Sequence, residues 1–555
     1  MKRVAFLVAL WVPATLFAFG DLGKVGDDYF FSGRDPVTGN PTNVSPLWSR
    51  PFFRPLTWWL VHALQRRFWF EDATLHLLGA VAHGVAVSLL VTFLVVIGCS
   101  SRAAFLAGAL FLVWPAAYEV VFWSAALPIG VASSLFLLIC LLAVWCLNQR
   151  GPSASNRLRA GLAATCVGSF AIPCLNEQPA AGLIAVPLLL FAATDEPDSR
   201  ASPWSNGAKI TLAAWSGPLL YGALFWATAR PGRRGTIGHM PPLSDLPGEL
   251  GRVASEVLGR LGLRDFASGA MEVGFGSLRA APILTGTLAL AIVWTAFGAL
   301  RSVDARSRTG IQPEGAARLL KVFCFGIAVF LLDWLPVLVV SGMSIPSRLM
   351  YAPELGLAIA TGAFIDLLRV RIFRGERWLV LRRVGALTLI GVLALCCVAM
   401  VGVQSAFRIR SRSDAQLAST LLRTLPSPAP HSLLLVLSDG RPRIATGAND
   451  FDEIGPDPLI LPQAATPFVR WAYRRGDLFA AQPTPWGPVI ISGITAGGAT
   501  LRGLEPAFPN PFMTDENGEA LVPWSQLIPI RIRADGGIDL LDRSTVRLSA
   551  SRPES

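Results

Sequence analysis

TLHLLGAVAHGVAVSLLVTFLVVIG, Thr74 to Gly98, contains no Asp, Glu, Lys or Arg. A helix rises 1.5 Å per residue, so this stretch outreaches the ~30 Å apolar thickness of a bilayer. It predicts a membrane span. Working outward, similar apolar runs bounded by charge lie near 4–20, 103–122, 128–148, 160–175, 179–193, 208–228, 281–300, 320–341, 350–367 and 384–403. The first, after Met1-Lys2-Arg3, is longer than a usual signal-peptide core and reads as an uncleaved span. Asn176-Glu177-Gln178-Pro179 interrupts one long apolar stretch, and the simpler account is two spans meeting at a short turn. The expectation is an all-α polytopic bundle of about eleven transmembrane helices over 1–403.

Composition agrees. The chain is 52% hydrophobic and 15% charged, where soluble domains carry about a quarter charged residues. Before residue 404 there are 33 Lys/Arg against 22 Asp/Glu, and from 404 onward 15 of each. The net charge of +11 therefore belongs to the apolar part. That placement fits cytoplasmic loop anchoring and contact with anionic lipids, and no nucleic-acid partner is expected. The eight cysteines lie in or beside apolar runs without paired ligand spacing and read as small hydrophobes.

The positive-inside rule gives the orientation. With the N-terminus cytoplasmic, the arginine-dense loops at 301–321 and 369–383 lie inside. The long loops at 21–73 and 229–280 lie outside, as does the tail. Trp48 to Phe70 suits an interfacial segment, and Leu250 to Leu263 suits an amphipathic helix lying on the surface. The tail, 404–555, opens with a charged helical stretch. Ser432 to Asp439 then reads as a buried strand, with further strands near 489–492, 528–533, 538–541 and 545–548. A small extracytoplasmic α+β or mostly β domain is expected, without a repeat at any fixed period.

Several polar groups fall on the outer side. Asp27 and Asp28 follow the first span; such a pair can act as a base, hold a divalent ion (Mg or Mn), or form a solvated acidic turn. Arg54, in Arg50-Pro-Phe-Phe-Arg54-Pro-Leu-Thr57, can grip a lipid phosphate or snorkel at the interface. Glu119 and Glu177 sit at span ends, lining a polar cavity or simply closing hairpins. Arg348, in Ser347-Arg-Leu-Met-Tyr351-Ala-Pro353, is a candidate phosphate ligand. Asp333 lies within a span and needs a partner, such as an arginine, or a cavity. His76 and His83 share a helix face without further ligands nearby. The chain has no P-loop, no G-x-G-x-x-G after a strand and no G-x-S-x-G, which argues against an ATP-driven pump or an attached hydrolase.

Taken in order, these pieces resemble the GT-C membrane glycosyltransferases. They are an acidic pair after span one, Arg54-Pro-Leu-Thr57, Pro115-x-x-x-Glu119-x-Val121-x-Trp123, Glu177-Gln178, and Arg348-x-x-Tyr351-x-Pro353. The protein O-mannosyltransferase-like branch, including transmembrane mannosyltransferases with TPR arrays, is the most similar. Here the usual Lys-Glu box reads Asn176-Glu177-Gln178, the third box lacks a His beside its proline, and the TPR array is absent. The resemblance covers roughly 1–403. It implies a polyprenyl-phosphate-linked sugar donor, an extracytoplasmic acceptor (protein, lipid or envelope glycan), and a bacterial inner membrane as the site of action. It implies Asp27 or Asp28 as catalytic acid/base or metal ligand, Arg348 and Arg54 as donor-phosphate ligands, and Glu119, Glu177 and Tyr351 as cavity lining. Two other readings stand beside it: a transporter or flippase of a lipid-linked glycan, and a noncatalytic envelope scaffold.

Overall fold

The computed structural model describes residues 54–69, 71–115, 118–122, 126–149, 154–194, 203–228, 244–261, 267–283, 313–338, 347–371, 379–437, 459, 462–483, 489–502, 519–533, 536–542, 544 and 546. The expected span at 4–20 lies outside them, as does 281–300 beyond its first three residues. The chain divides into two compact units. Among the described residues the first holds 54–57 and 76–404, and the second 58–75 and 405–546.

The first unit is a helical bundle. Its described helices are α1 (Pro55–Phe68, only its first turn here), α2 (Asp72–Val96), α3 (Ser101–Val113), α4 (Tyr118–Phe122), α5 (Leu127–Leu147), α6 (Ala154–Leu175), α7 (Gln178–Gly182) and α8 (Val186–Ala193). They continue with α9 (Pro203–Thr228), α10 (Leu246–Leu261), α11 (Ala267–Ala280), α12 (Pro313–Leu332), α13 (Leu335–Leu338), α14 (Tyr351–Arg371) and α15 (Leu379–Thr424). Six helical segments among the described residues are long and apolar enough to cross a membrane: Thr74–Val96, Leu127–Leu147, Ala154–Leu175, Gly315–Val337, Arg348–Leu368 and Leu387–Thr424. The protein is a multi-pass membrane protein.

Two expected spans are not single helices. The run at 103–122 breaks after Val113, with Trp114 extended at ψ 121°. Pro115 explains this, because proline disfavours helix in the residue before it. The run at 179–193 is split into α7, a 3-10 turn at Leu183–Ala185, and α8, with Pro179 and Pro187 at the starts of the two α-helical pieces. By contrast α15 runs for 46 residues, joining the span expected at 384–403 to the charged helical stretch expected at the start of the tail. At about 69 Å it is more than twice a bilayer's apolar thickness.

Apolar burial does not favour helix over lipid, so close backbone packing must hold such a bundle together. Gly326 of α12 and Gly356 of α14 provide it. A Cβ on Gly326 would lie 2.5 Å from the Ala360 nitrogen, and one on Gly356 would lie 2.5 Å from the Phe330 nitrogen. At one end of the bundle Asp366 of α14 accepts bonds from Ser100 N at 2.5 Å and Ser100 Oγ at 2.7 Å, fixing the start of α3. α10 buries Val253 and Val257 and exposes Leu250 and Leu258.

The second unit contains α16 (Pro462–Tyr473) and seven strands. These are β1 (Leu433–Val436), β2 (Phe479–Ala481), β3 (Ile490–Ile494), β4 (Gly498–Arg502), β5 (Glu519–Pro523), β6 (Leu527–Ile532) and β7 (Ile538–Leu540). One sheet has the order β2-β1-β6-β7, with β1 parallel to both neighbours; β3-β4-β5 form an antiparallel sheet. β1 is buried on both faces, which explains its unbroken apolar run. Leu433 and Leu435 pack with Phe479, Val522 and Trp69, while Leu434 and Val436 pack with Phe468, Val469 and Leu421. Trp69, only 2% exposed, is thus a core residue contributed from the first long loop. The segment expected at 545–548 forms no strand among its described residues.

Candidate functional site

The end of the first unit opposite Ser100–Asp366 gathers several of the polar groups singled out above. Its centre is the turn between α6 and α7. Asn176 is buried, and its Oδ1 accepts from Gln178 N at 3.0 Å, closing an Asx turn that starts α7. Pro179 supplies a fixed φ in the first helical turn. Glu177 and Gln178 project from this rigid base.

Glu177 faces Arg54. Its Oε2 accepts from Arg54 Nε at 2.6 Å and lies 2.5 Å from Nη2, while its Oε1 accepts from the Tyr221 hydroxyl at 3.0 Å. The Arg54 and Glu177 side chains are 29% and 22% exposed, so the pair is partly shielded from water. Burial opposes the charge on Arg54, but the facing carboxylate more than offsets it, and the guanidinium pKa rises above its ordinary value. Thr57 ties the same segment down by donating to the Leu175 carbonyl at 2.5 Å. Arg54 and Thr57 of one sequence box therefore both engage the Leu175–Gln178 turn.

Gln178 reaches in another direction. Its Nε2 donates to the Leu349 carbonyl at 2.9 Å and lies 3.4 Å from the Asp333 carbonyl. Leu349 belongs to the 3-10 turn Ser347–Met350, which carries Arg348 and runs into α14. The helix bearing Glu119, α4, packs against that turn. Tyr351 is fully buried, and its hydroxyl lies 2.8 Å from His83 Nδ1. His83 Nε2 is 3.2 Å from the Leu112 carbonyl, and His76 Nδ1 is 2.7 Å from the Phe122 carbonyl. Both histidines thus join α2 to the segment after it.

The elements carrying Arg54, Glu177, Arg348 and Glu119 therefore meet at one end of the bundle. Asp27 and Asp28, the expected acid/base and metal ligands, lie outside the described residues. Among the described residues no group of three His, Cys, Asp or Glu side chains is placed to hold a metal ion. Asp333 is buried without the expected arginine among the described residues, and its Oδ1 has no hydrogen-bond partner.

Two contributors escaped the sequence. Tyr221 sits in an apolar run that reads simply as a span, and its hydroxyl is the only signal there. Glu354, in the first turn of α14, is 4% exposed with neither carboxylate oxygen hydrogen-bonded among the described residues. A carboxylate placed at the start of an apolar run was the signal for it.

No protein-family model matches the sequence, and no curated protein matches it in sequence comparison. Among solved structures, ArnT from Cupriavidus metallidurans bound to undecaprenyl phosphate aligns at 12% identity over 88% of this chain and 86% of that one, with a TM-score of 0.42. ArnT from the same organism in the apo state aligns at 13% identity over 87% and 86%, with a TM-score of 0.40. The similarity is that distant, and the functional reading rests on this chain's own residues.

Proposed function

We propose that this protein is a membrane glycosyltransferase of the GT-C kind that moves a sugar from a polyprenyl-phosphate donor to an acceptor outside the cytoplasm. The observation that carries this reading is the attachment of both arginine segments to consecutive residues of one turn. Glu177 holds Arg54, and Gln178 holds the turn bearing Arg348. Two guanidinium groups brought to one end of a membrane bundle suit the phosphate of a lipid whose tail lies among the helices.

In the transfer step an acceptor nucleophile attacks the anomeric carbon. The bond from that carbon to the phosphate oxygen breaks, and the lipid phosphate leaves with the electron pair. Arg54 and Arg348 neutralise the charge growing on that phosphate. The carboxylate pair Asp27–Asp28 takes the acceptor's proton. The acceptor is a protein, a lipid or an envelope glycan, and the cell compartment is a bacterial inner membrane with the tail outside.

Transfer from polyprenyl-phosphate sugars by the purified full chain tests this, with Asp27→Asn, Asp28→Asn, Arg54→Ala and Arg348→Ala as variants. One aspartate change should lower turnover by about 100-fold or more, and each arginine change should do so by a similar factor, all in folded protein. Wild-type protein that binds donor without turnover would replace the enzyme with a transporter or flippase. The buried carboxylates of Asp333 and Glu354 inside spans are the feature favouring that second reading.

A further inference from the structure

We propose that Gln178 is a positioning residue that sets the placement of Arg348 toward a lipid phosphate; this rests on the donor-phosphate reading of Arg348. Gln178 is 3% exposed, and its Nε2 donates to the carbonyl of Leu349, the residue after Arg348. Met350 and Tyr351 are fully buried immediately beyond, with the Tyr351 hydroxyl at His83. Arg348 is therefore joined directly to a fixed segment, and the Leu349 peptide sets the direction in which its long side chain starts.

The choice of residue supports the assignment. Gln178 Oε1 is buried and accepts no hydrogen bond among the described residues. An apolar side chain of the same length would fill the space without stranding an acceptor. The amide is thus worth its stranded oxygen only for what its nitrogen donates, and the firmer of its two contacts is with Leu349. Its own base is braced by Asn176, which caps it, and by Pro179, which follows it. The same turn holds Arg54 through Glu177, so one rigid two-residue step aligns two arginines on different segments.

The test is a double-mutant cycle on the full chain in lipid nanodiscs, with undecaprenyl phosphate as the titrated probe and the melting temperature as a fold control. Gln178→Met keeps the length and removes the donor. It should weaken binding about tenfold, and about equally raise KM for a polyprenyl-phosphate sugar. In an Arg348→Ala background it should add little, because its target is gone. In an Arg54→Ala background the two losses should add. Gln178→Glu, which replaces the donor by an acceptor, should repeat the pattern and serves where the methionine variant does not fold. Equal weakening by Gln178→Met with and without Arg348, or unchanged binding in a folded variant, would overturn the positioning role alone. Unchanged binding in Arg348→Ala would instead remove the phosphate reading of Arg348, and the positioning role with it.

Discussion

The two ends of the membrane unit treat buried polar groups differently. At one end Asp366 spends both carboxylate oxygens on Ser100, which in turn caps α3. At the other end Asp333 Oδ1, Gln178 Oε1 and both oxygens of Glu354 are buried without hydrogen bonds among the described residues. Natural folds satisfy nearly all such groups. Where they do not, the exceptions tend to gather at functional sites, whose cost the rest of the fold covers. The contrast sets the Ser100 end, where Asp366 ties two segments together, apart from the end where the proposed phosphate site lies.

Three substitutions sharpen or break that contrast. The largest effect on stability should come from Asp366→Ala, which takes a charged acceptor from the partly buried Ser100 N–H and hydroxyl; we expect a loss of about 2 kcal/mol, read as a lower unfolding midpoint, with sugar transfer per folded molecule unchanged. A loss of transfer in folded protein would mean that the Ser100 end also takes part in function. Glu354→Leu should do the reverse, raising stability by about 1 kcal/mol because a buried carboxyl with no hydrogen bond among the described residues is removed. A large fall in the unfolding midpoint would show that Glu354 is a structural anchor like Asp366. Tyr221→Phe should have the smallest effect. It removes one bond to Glu177 and should lower transfer by about threefold to tenfold while leaving stability nearly unchanged. If transfer does not respond, the grip on Arg54 is set by Glu177 alone.

How much of this could be read from the sequence follows from the range of the interactions. The span at Thr74–Val96 was legible because lipid imposes length and apolarity locally. The turn at Asn176–Pro179 was legible because an amide, an acid and a proline interrupt an apolar run. The length of α15 was not. Arg408, Arg410, Arg412 and Asp414 end the apolar run without ending the helix, since arginine is a good helix former and Arg410 pairs with Asp414 one turn on at 2.8 Å. Glu119 and Glu177 were legible as charges at span ends, but the partners of Glu177 were not. Glu177 meets Arg54 and Tyr221 across separations of 123 and 44 residues, which no local pattern records. β4 and β5 were missed as short segments whose burial comes from the opposite strand and sheet.

Trp69 belongs to the early part of the chain, yet its pocket is lined by Leu433, Phe479, Val522 and Val546. During synthesis at ribosomal speed the indole is therefore made on the order of tens of seconds before the last wall of its pocket. A ring with an apolar body and one polar edge is at ease where lipid headgroups meet water, so a tryptophan can wait at a membrane surface. A fragment made from residue 405 onward would be born with a cavity the size of that ring, and would need residues 58–75 supplied as a separate peptide to close it.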